Sequence, residues 1–441
     1  MEQGQKLIRI PSDIGADAAK RGLSHMASSM SGSSILRIGQ EIRNMVDRGD
    51  DVANLTIGDF SPKQFPIPDI FRGYLNDAVN DGHTNYPPSA GTPDLRAAVK
   101  ESFMRNHNID YPIDGIAIVS GGRPSLYATY QLLVDPGDLV LFPVPSWNNH
   151  NYGDTCQVKV RGIQTRREDS FQPTVALLKP HAKDARLIVL NTPQNPSGGV
   201  MPEKDLREFG EFLVEENDRR KEAGEKPLYL LFDQIYSLLT FDNHQHFSPV
   251  QLVPECAPYV IHCDGISKNF AATGLRCGWF VAPPAITKKL VALGTHLGTW
   301  APLPVQVATA RWLRNLPAID DWRKDMIGRV RERLDCLHHG LQALKEEGFA
   351  CDSIEPQGAI YISAQFKLSG KTTPSGTVLE NNDDIRSYLL QNAGFAVVPF
   401  AAFGVDPDDE DGWFRASIGA VSISDLESCL PRLRAALRAL N

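Results

Sequence analysis

Between about residues 115 and 282 short apolar runs alternate with stretches of helical period. The runs are Ile116 to Val119, Leu139 to Phe142, Leu187 to Leu190, Leu228 to Phe232, Tyr259 to Cys263 and Trp279 to Ala282. Near-continuous apolar strands are buried on both faces, so the pattern predicts a mostly parallel sheet sandwiched by helices. Upstream, Ile35, Leu36, Ile38, Ile42 and Val46 recur at helical spacing, and Val52 to Ile57 reads as a strand ending at Gly58. After about 310 the pattern changes to amphipathic helix through Arg323 to Glu347, then strands near Ala359 to Ile362, Ala396 to Val398 and Phe414 to Ile418. A last helix carries Leu426, Leu430, Leu433, Leu437 and Leu440, with Ser424 as N-cap and Glu427 three residues on. The expected α/β architecture has an arm over 1–33, a helix over 34–50, a large domain over 51–310 and a smaller α/β domain over 311–441. The helix over 34–50 packs with the small domain.

Composition removes whole classes of function. With 441 residues and 42% hydrophobic content the chain can bury large cores. A formal charge of −8, from 45 Lys+Arg against 53 Asp+Glu, opposes a nucleic-acid partner. No run approaches the roughly 20 apolar residues of a membrane helix, and no signal peptide is visible, so no membrane is involved and the expected location is cytoplasmic. Seven cysteines, an odd number without a C-x-x-C pair, fit reduced thiols rather than a disulfide framework or a metal site.

Five of the apolar runs are followed at once by unusual polar residues, and ligands of open α/β sheets sit beyond the carboxyl ends of strands. Lys268 lies among small and apolar neighbours in Ser267-Lys268-Asn269-Phe270-Ala271-Ala272-Thr273-Gly274-Leu275-Arg276. Such an amine suits a Schiff base with an aldehyde, and Arg276 supplies a fixed cation for a phosphate, which together call for pyridoxal 5'-phosphate. Asp233 ends the run Leu228 to Phe232, where a carboxylate is costly unless it meets a cation such as a pyridinium N–H. Tyr236 and Asn195, the latter in Asn191-Thr192-Pro193-Gln194-Asn195-Pro196-Ser197-Gly198, could hydrogen-bond the ring's phenolate oxygen. Ser120-Gly121-Gly122-Arg123 joins a strand to a helix as a phosphate cradle, with neither a Walker loop nor a dinucleotide fingerprint. Trp147 could stack on the pyridine ring, and Arg415 could grip a substrate α-carboxylate.

From about Ile35 to its end the chain resembles the fold type I pyridoxal-phosphate enzymes, class I/II aminotransferases, which include aspartate and kynurenine aminotransferases. The motifs that carry the resemblance are Asn85-Tyr86-Pro87-Pro88 with Ala90-Gly91, the Gly-Gly-Arg turn, Asn195-Pro196-Ser197-Gly198, Asp233-Gln234-Ile235-Tyr236, the Lys268 to Arg276 run, and Arg415. The resemblance implies a seven-stranded sheet, a homodimer with active sites at the interface, and Tyr86 reaching the phosphate of the neighbouring subunit's cofactor. It places Gly58 beside the substrate carboxylate and Trp300 in the region that crosses the dimer. It gives Ser267 a place beside the phosphate, since Gly265 stands where many relatives have a serine. Gln234 and Ser197 also depart from the usual Glu and Thr, and the segments 59–64 and 148–151, expected to read the substrate side chain, match no specificity pattern.

The leading expectation is an aminotransferase that moves an amino group between an α-amino acid and a 2-oxo acid by ping-pong kinetics. An alternative is a lyase or synthase on the same scaffold, such as a C–S β-lyase or an aminocyclopropane-carboxylate synthase relative, because cofactor residues do not decide which Cα bond breaks. A remote third is a non-enzymatic cofactor-binding regulator, opposed by the absence of a basic helix-turn-helix pattern.

Overall fold

The computed structural model of the chain describes residues 8–30 and 34–441. The six apolar runs, with one further segment that becomes β3, form one seven-stranded sheet: β1 (Ile116–Val119), β2 (Leu139–Val144), β3 (Lys159–Gln164), β4 (Ala185–Asn191), β5 (Tyr229–Asp233), β6 (Val260–Gly265) and β7 (Gly278–Val281). Their order is β1-β7-β6-β5-β4-β2-β3, with β7 antiparallel to both neighbours and every other pairing parallel. β3 escaped the hydropathy reading because it is an edge strand in which only Ile163 is buried. Along β5, Leu230 and Phe232 pack into a core on one face of the sheet and Leu231 into a second core on the other. Apolar residues at consecutive positions are therefore required by the two-sided burial.

A four-stranded antiparallel sheet follows: β8 (Cys351–Ser353), β9 (Tyr361–Phe366), β10 (Val398–Pro399) and β11 (Trp413–Ser417), in the order β10-β11-β9-β8. One helix, Leu316–Glu346, joins the two parts. Ile319 in its first turns packs in the large core, while Met326, Val330, Leu334, Leu337, Leu341 and Leu344 pack in the small one. The passage between the cores thus takes place inside a helix.

Several local expectations are corrected. The strand expected over Val52 to Ile57 shrinks to Ala53–Asn54, paired in parallel with Phe395–Ala396. Asn54 Oδ1 accepts from both the N–H and the hydroxyl of Thr56, which turns the chain away from a ladder. The run at 396–398 is split, since Ala396 pairs with Asn54 and Val398 with Arg415. The strand expected near Ala359 starts at Tyr361, because Ala359 takes a positive φ of 57°. The last helix is Ile423–Arg438, capped by Ser422 and not Ser424. Ser422 Oγ accepts from Asp425 N, while the Asp425 carboxylate accepts from Ser422 N.

In the segment read as an arm, Ala16–Gly22 and His25–Ser29 are short helices without a buried residue; residues 1–7 and 31–33 lie outside the described residues. The next helix, Ser34–Asp47, buries Ile38, Ile42 and Met45 in a core cluster that takes in residues of both sheets, and Glu41 pairs with Arg386 at 2.9 Å. All seven cysteines are free, and among the described residues no helix is long and apolar enough to cross a membrane.

Candidate active site

Because β7 runs against its neighbours, its first residues lie at the same sheet edge as the ends of β1, β2, β4, β5 and β6. A cavity of about 540 Å³ opens there. It is lined by Gly58, Gly122, Arg123, Trp147, Asn195, Asp233, Tyr236, Ser267, Lys268, Arg276 and Arg415 among others, so residues spread over the whole chain converge.

One end of the cavity is built for an anion. Gly121 has φ 84°, and a Cβ there would lie 2.3 Å from Arg276 Nη2, so only glycine lets the arginine approach. The helix Gly122–Leu133 starts at this point, with the unpaired N–H groups of a first helical turn. Arg276 is held in place by donating to Thr273 O at 2.6 Å and Ser120 O at 3.0 Å. Arg123 places its guanidinium 4.6 Å from the centre of the Trp147 ring. Gly265 also has a packing reason: it pairs with Gly278 across β6 and β7, and a Cβ would fall 2.7 Å from Cys277 O. No side chain fits there, while the neighbouring Ser267 is buried and lines the cavity.

Lys268 sits on the short helix Ile266–Asn269 just past β6. Its Nζ donates to Gly58 O at 2.6 Å and lies 3.9 Å from the Asp59 carboxylate. Burial lowers its pKa to about 8; Asp59 acts in the opposite sense, and Arg415, Arg276 and Arg123 lower it further. The carboxylate of Asp233, at the end of β5, accepts one hydrogen bond, from Ile235 N at 3.2 Å, and has no ion pair among the described residues. Burial raises its pKa to about 7. The Tyr236 hydroxyl lies 2.6 Å from that of Tyr361, and burial pushes its pKa well up.

The Asn191-to-Gly198 turn is fixed by Asn191 Oδ1, which accepts from Asn195 N at 2.8 Å. Asn195 Oδ1 in turn accepts from Arg415 Nη1 at 3.1 Å, leaving the amide NH₂ as the free donor. Arg415, on β11, is 1% exposed and donates Nη2 to Thr56 O at 2.6 Å, while Nε has no partner. Tyr361 and Phe403 present ring faces 4.8 Å away. No carboxylate pairs with this guanidinium among the described residues, so a buried cation is left for an outside anion. Gly58 faces the same group: a Cβ there would lie 2.9 Å from Tyr361 Oη and 3.2 Å from Arg415 Nη1.

Tyr86 stays apart. It is 82% exposed, lies edge-on to Trp300 at 5.4 Å, and does not line the cavity. Asp59, Asn148 and Asn151, from the two segments expected to read the side chain, do line it. The sequence reading missed Asn191, Cys263, Phe403 and Tyr361. For Asn191 a signal existed, as a polar residue closing an apolar strand; Phe403 and Tyr361 lie in segments that look like ordinary core.

Residues 50–433 match the model of the family described as aminotransferase class I and II. The chain belongs to this family and is an aminotransferase. An aspartate aminotransferase of Rhizobium meliloti (strain 1021) is 30% identical over 414 residues, covering 93% of this chain and 94% of that protein. A probable aspartate/prephenate aminotransferase of Rhizobium leguminosarum bv. phaseoli is 27% identical, covering 91% and 95%. In three dimensions the crystal structure of the Rhizobium meliloti aspartate aminotransferase superposes with a TM-score of 0.85 at 29% identity, covering 95% of this chain and 99% of that one. Thermus thermophilus aspartate aminotransferase with maleate gives 0.82 at 27% identity, covering 95% and 100%.

Proposed function

We propose that the cavity binds pyridoxal 5'-phosphate and that this aminotransferase carries an amino group from an α-amino acid to a 2-oxo acid in two half-reactions. The observation that carries the reading is the set of incomplete groups in one cavity: an amine shifted toward neutrality, a carboxylate without a cation and a buried guanidinium without an anion. Each has the partner it lacks in this cofactor or in an amino acid. The glycine cradle, where a Cβ on Gly121 would strike Arg276, fits a phosphate. When bound, the cofactor supplies an electron sink for the electrons released at the substrate Cα.

The chain's own residues do the rest. Lys268 would hold the aldehyde end through Nζ and, as an amine shifted toward neutrality, would serve as the general base that moves the substrate Cα proton. Asp233 would keep the ring nitrogen protonated, and Asn195 and Tyr236 would donate to the ring oxygen. Gly122, Arg123, Ser267 and Arg276 would hold the phosphate, and Trp147, which lines the same cavity, would pack against the ring. Arg415 takes the α-carboxylate in its planar fork, with Asn195 and the backbone at Gly58 beside it. We further propose a homodimer in which Tyr86, exposed here, reaches the partner's cofactor phosphate, and a cytoplasmic location, which seven free thiols suit.

The test mixes purified holoenzyme with amino donors: aspartate, for which relatives are named, then aromatic, neutral and basic amino acids. Loss of the bound cofactor's visible band with formation of pyridoxamine phosphate is expected for at least one donor. Ammonia and pyruvate release without pyridoxamine phosphate would instead assign the site to a lyase. Light scattering reads the dimer independently.

A further inference from the structure

Tyr361 belongs to no motif that marks the site, yet it touches three of its parts. Its hydroxyl lies 2.6 Å from that of Tyr236, its ring lies 4.8 Å under the Arg415 guanidinium, and its hydroxyl fills the space where a side chain on Gly58 would begin, 2.9 Å from that Cβ. It is fully buried on β9. The backbone there is clamped to the turn that carries Asn195. A Cβ on Gly198, whose φ is 76°, would strike Tyr361 O, and Ser363 Oγ donates to Ser197 O at 3.1 Å. Tyr361 is therefore held from both sheets at once.

Two hydroxyls at 2.6 Å share one hydrogen bond, and either oxygen can be the donor. A neutral tyrosine has one proton to give. If Tyr236 is to donate to the ring oxygen of the cofactor, it must accept from Tyr361, whose own proton has no other acceptor in the observed bonding. We propose that Tyr361 is a positioning residue that fixes the direction of the Tyr236 proton, forming a donor chain from Tyr361 to Tyr236 to the ring oxygen. This rests on the cofactor reading above. A second donor in line polarises the first and strengthens its hydrogen bond.

The effect is largest when the ring oxygen carries its full negative charge, which happens when the neighbouring lysine-bound nitrogen has lost its proton. The chain therefore favours that deprotonated form, and breaking it makes the proton harder to remove. The readout is the visible absorbance of the holoenzyme titrated with pH in the absence of substrate. Tyr361→Phe is expected to lower the proton dissociation constant roughly threefold to tenfold, and Tyr236→Phe further in the same direction. The double variant is expected to match Tyr236→Phe alone, because Tyr361 acts only through that hydroxyl. Gly58→Ala, which pushes the Tyr361 hydroxyl aside, is expected to shift the titration the same way without removing any hydroxyl. An unchanged titration in Tyr361→Phe beside a shifted one in Tyr236→Phe overturns the proposal, and so does full additivity in the double variant. If wild type shows no pH-dependent visible band, or Lys268→Ala keeps one, the cofactor reading itself fails.

Discussion

Asp233, the last residue of β5, and Asp264, next to last on the adjacent parallel strand β6, are treated in opposite ways. Asp264 accepts from Gly265 N at 2.6 Å, Asn269 Nδ2 at 3.2 Å, and Gln234 Nε2 and Ser237 Oγ at 3.4 Å each. The Asp233 carboxylate accepts from Ile235 N alone. Burial raises both, to about 8 for Asp264 and about 7 for Asp233, and for Asp264 the neighbouring Asp233 charge adds to the rise. Asp264 closes a structural network around the segment bearing Lys268, whereas Asp233 is left open toward the cavity. Buried groups left incomplete, rather than polar groups as such, mark where a ligand belongs.

Replacing each aspartate in turn should separate these roles. Asp233→Asn is expected to lower kcat/KM for transamination roughly 10²- to 10³-fold, the usual scale for losing one preorganised electrostatic partner. The same change should raise the thermal midpoint of the ligand-free protein, since it removes a buried carboxylate with no cation. A lower midpoint would show that Asp233 is satisfied in a way these contacts do not reveal. Asp264→Leu is expected to cost about 2–3 kcal/mol of stability in urea titration, by orphaning buried donors. An equal loss in Asp233→Leu would erase the distinction.

A third, smaller effect is pH-linked. Below the ordinary aspartate pKa near 4 the two states hold the Asp233 proton alike; as pH rises from about 4 to about 7, the unfolded chain releases it first. The stability contributed by this raised group is therefore lost across that window and is level above it. Buried His107 and His262, lowered to about 4 and about 3, act in the opposite sense below pH 6.5, so the informative quantity is the difference between wild type and Asp233→Asn. That difference should grow from pH 4 to 7 in the ligand-free protein and shrink when cofactor is bound. The smallest effect concerns Lys268: capture of pyridoxal phosphate by the ligand-free protein should speed up with pH and level off above about 8, as the amine becomes neutral. Asp59→Asn should move that midpoint slightly down, because the Asp59 charge holds the proton on the amine. Stopped-flow absorbance reads both.

Much of this was legible in the chain because the main signals are local. An apolar run followed by a polar residue is a strand and its exit, and Lys268, Asp233, Asn195 and Trp147 all announce themselves that way. The edge strand Lys159–Gln164 was not legible, since Ile163 is the single buried residue of its six and no alternation marks it. Val52 to Ile57 misled because a strand-like composition was overruled by the Asn54 side chain bonding Thr56. The cap at Ser422 was missed by two residues because two serines compete and only the geometry of Asp425 decides between them.

The sequence by itself determined the classes of element, the large sheet and the list of chemical groups, because hydrophobic period and strand-exit residues act within a few positions. Only the tertiary structure decided which of those groups are left incomplete. The antiparallel placement of β7 brings Arg276 beside Gly121, the small sheet buries Arg415 against Thr56 O, and β9 brings Tyr361 to Tyr236. Those pairings join residues far apart in the chain, so their distances follow from packing and not from spacing.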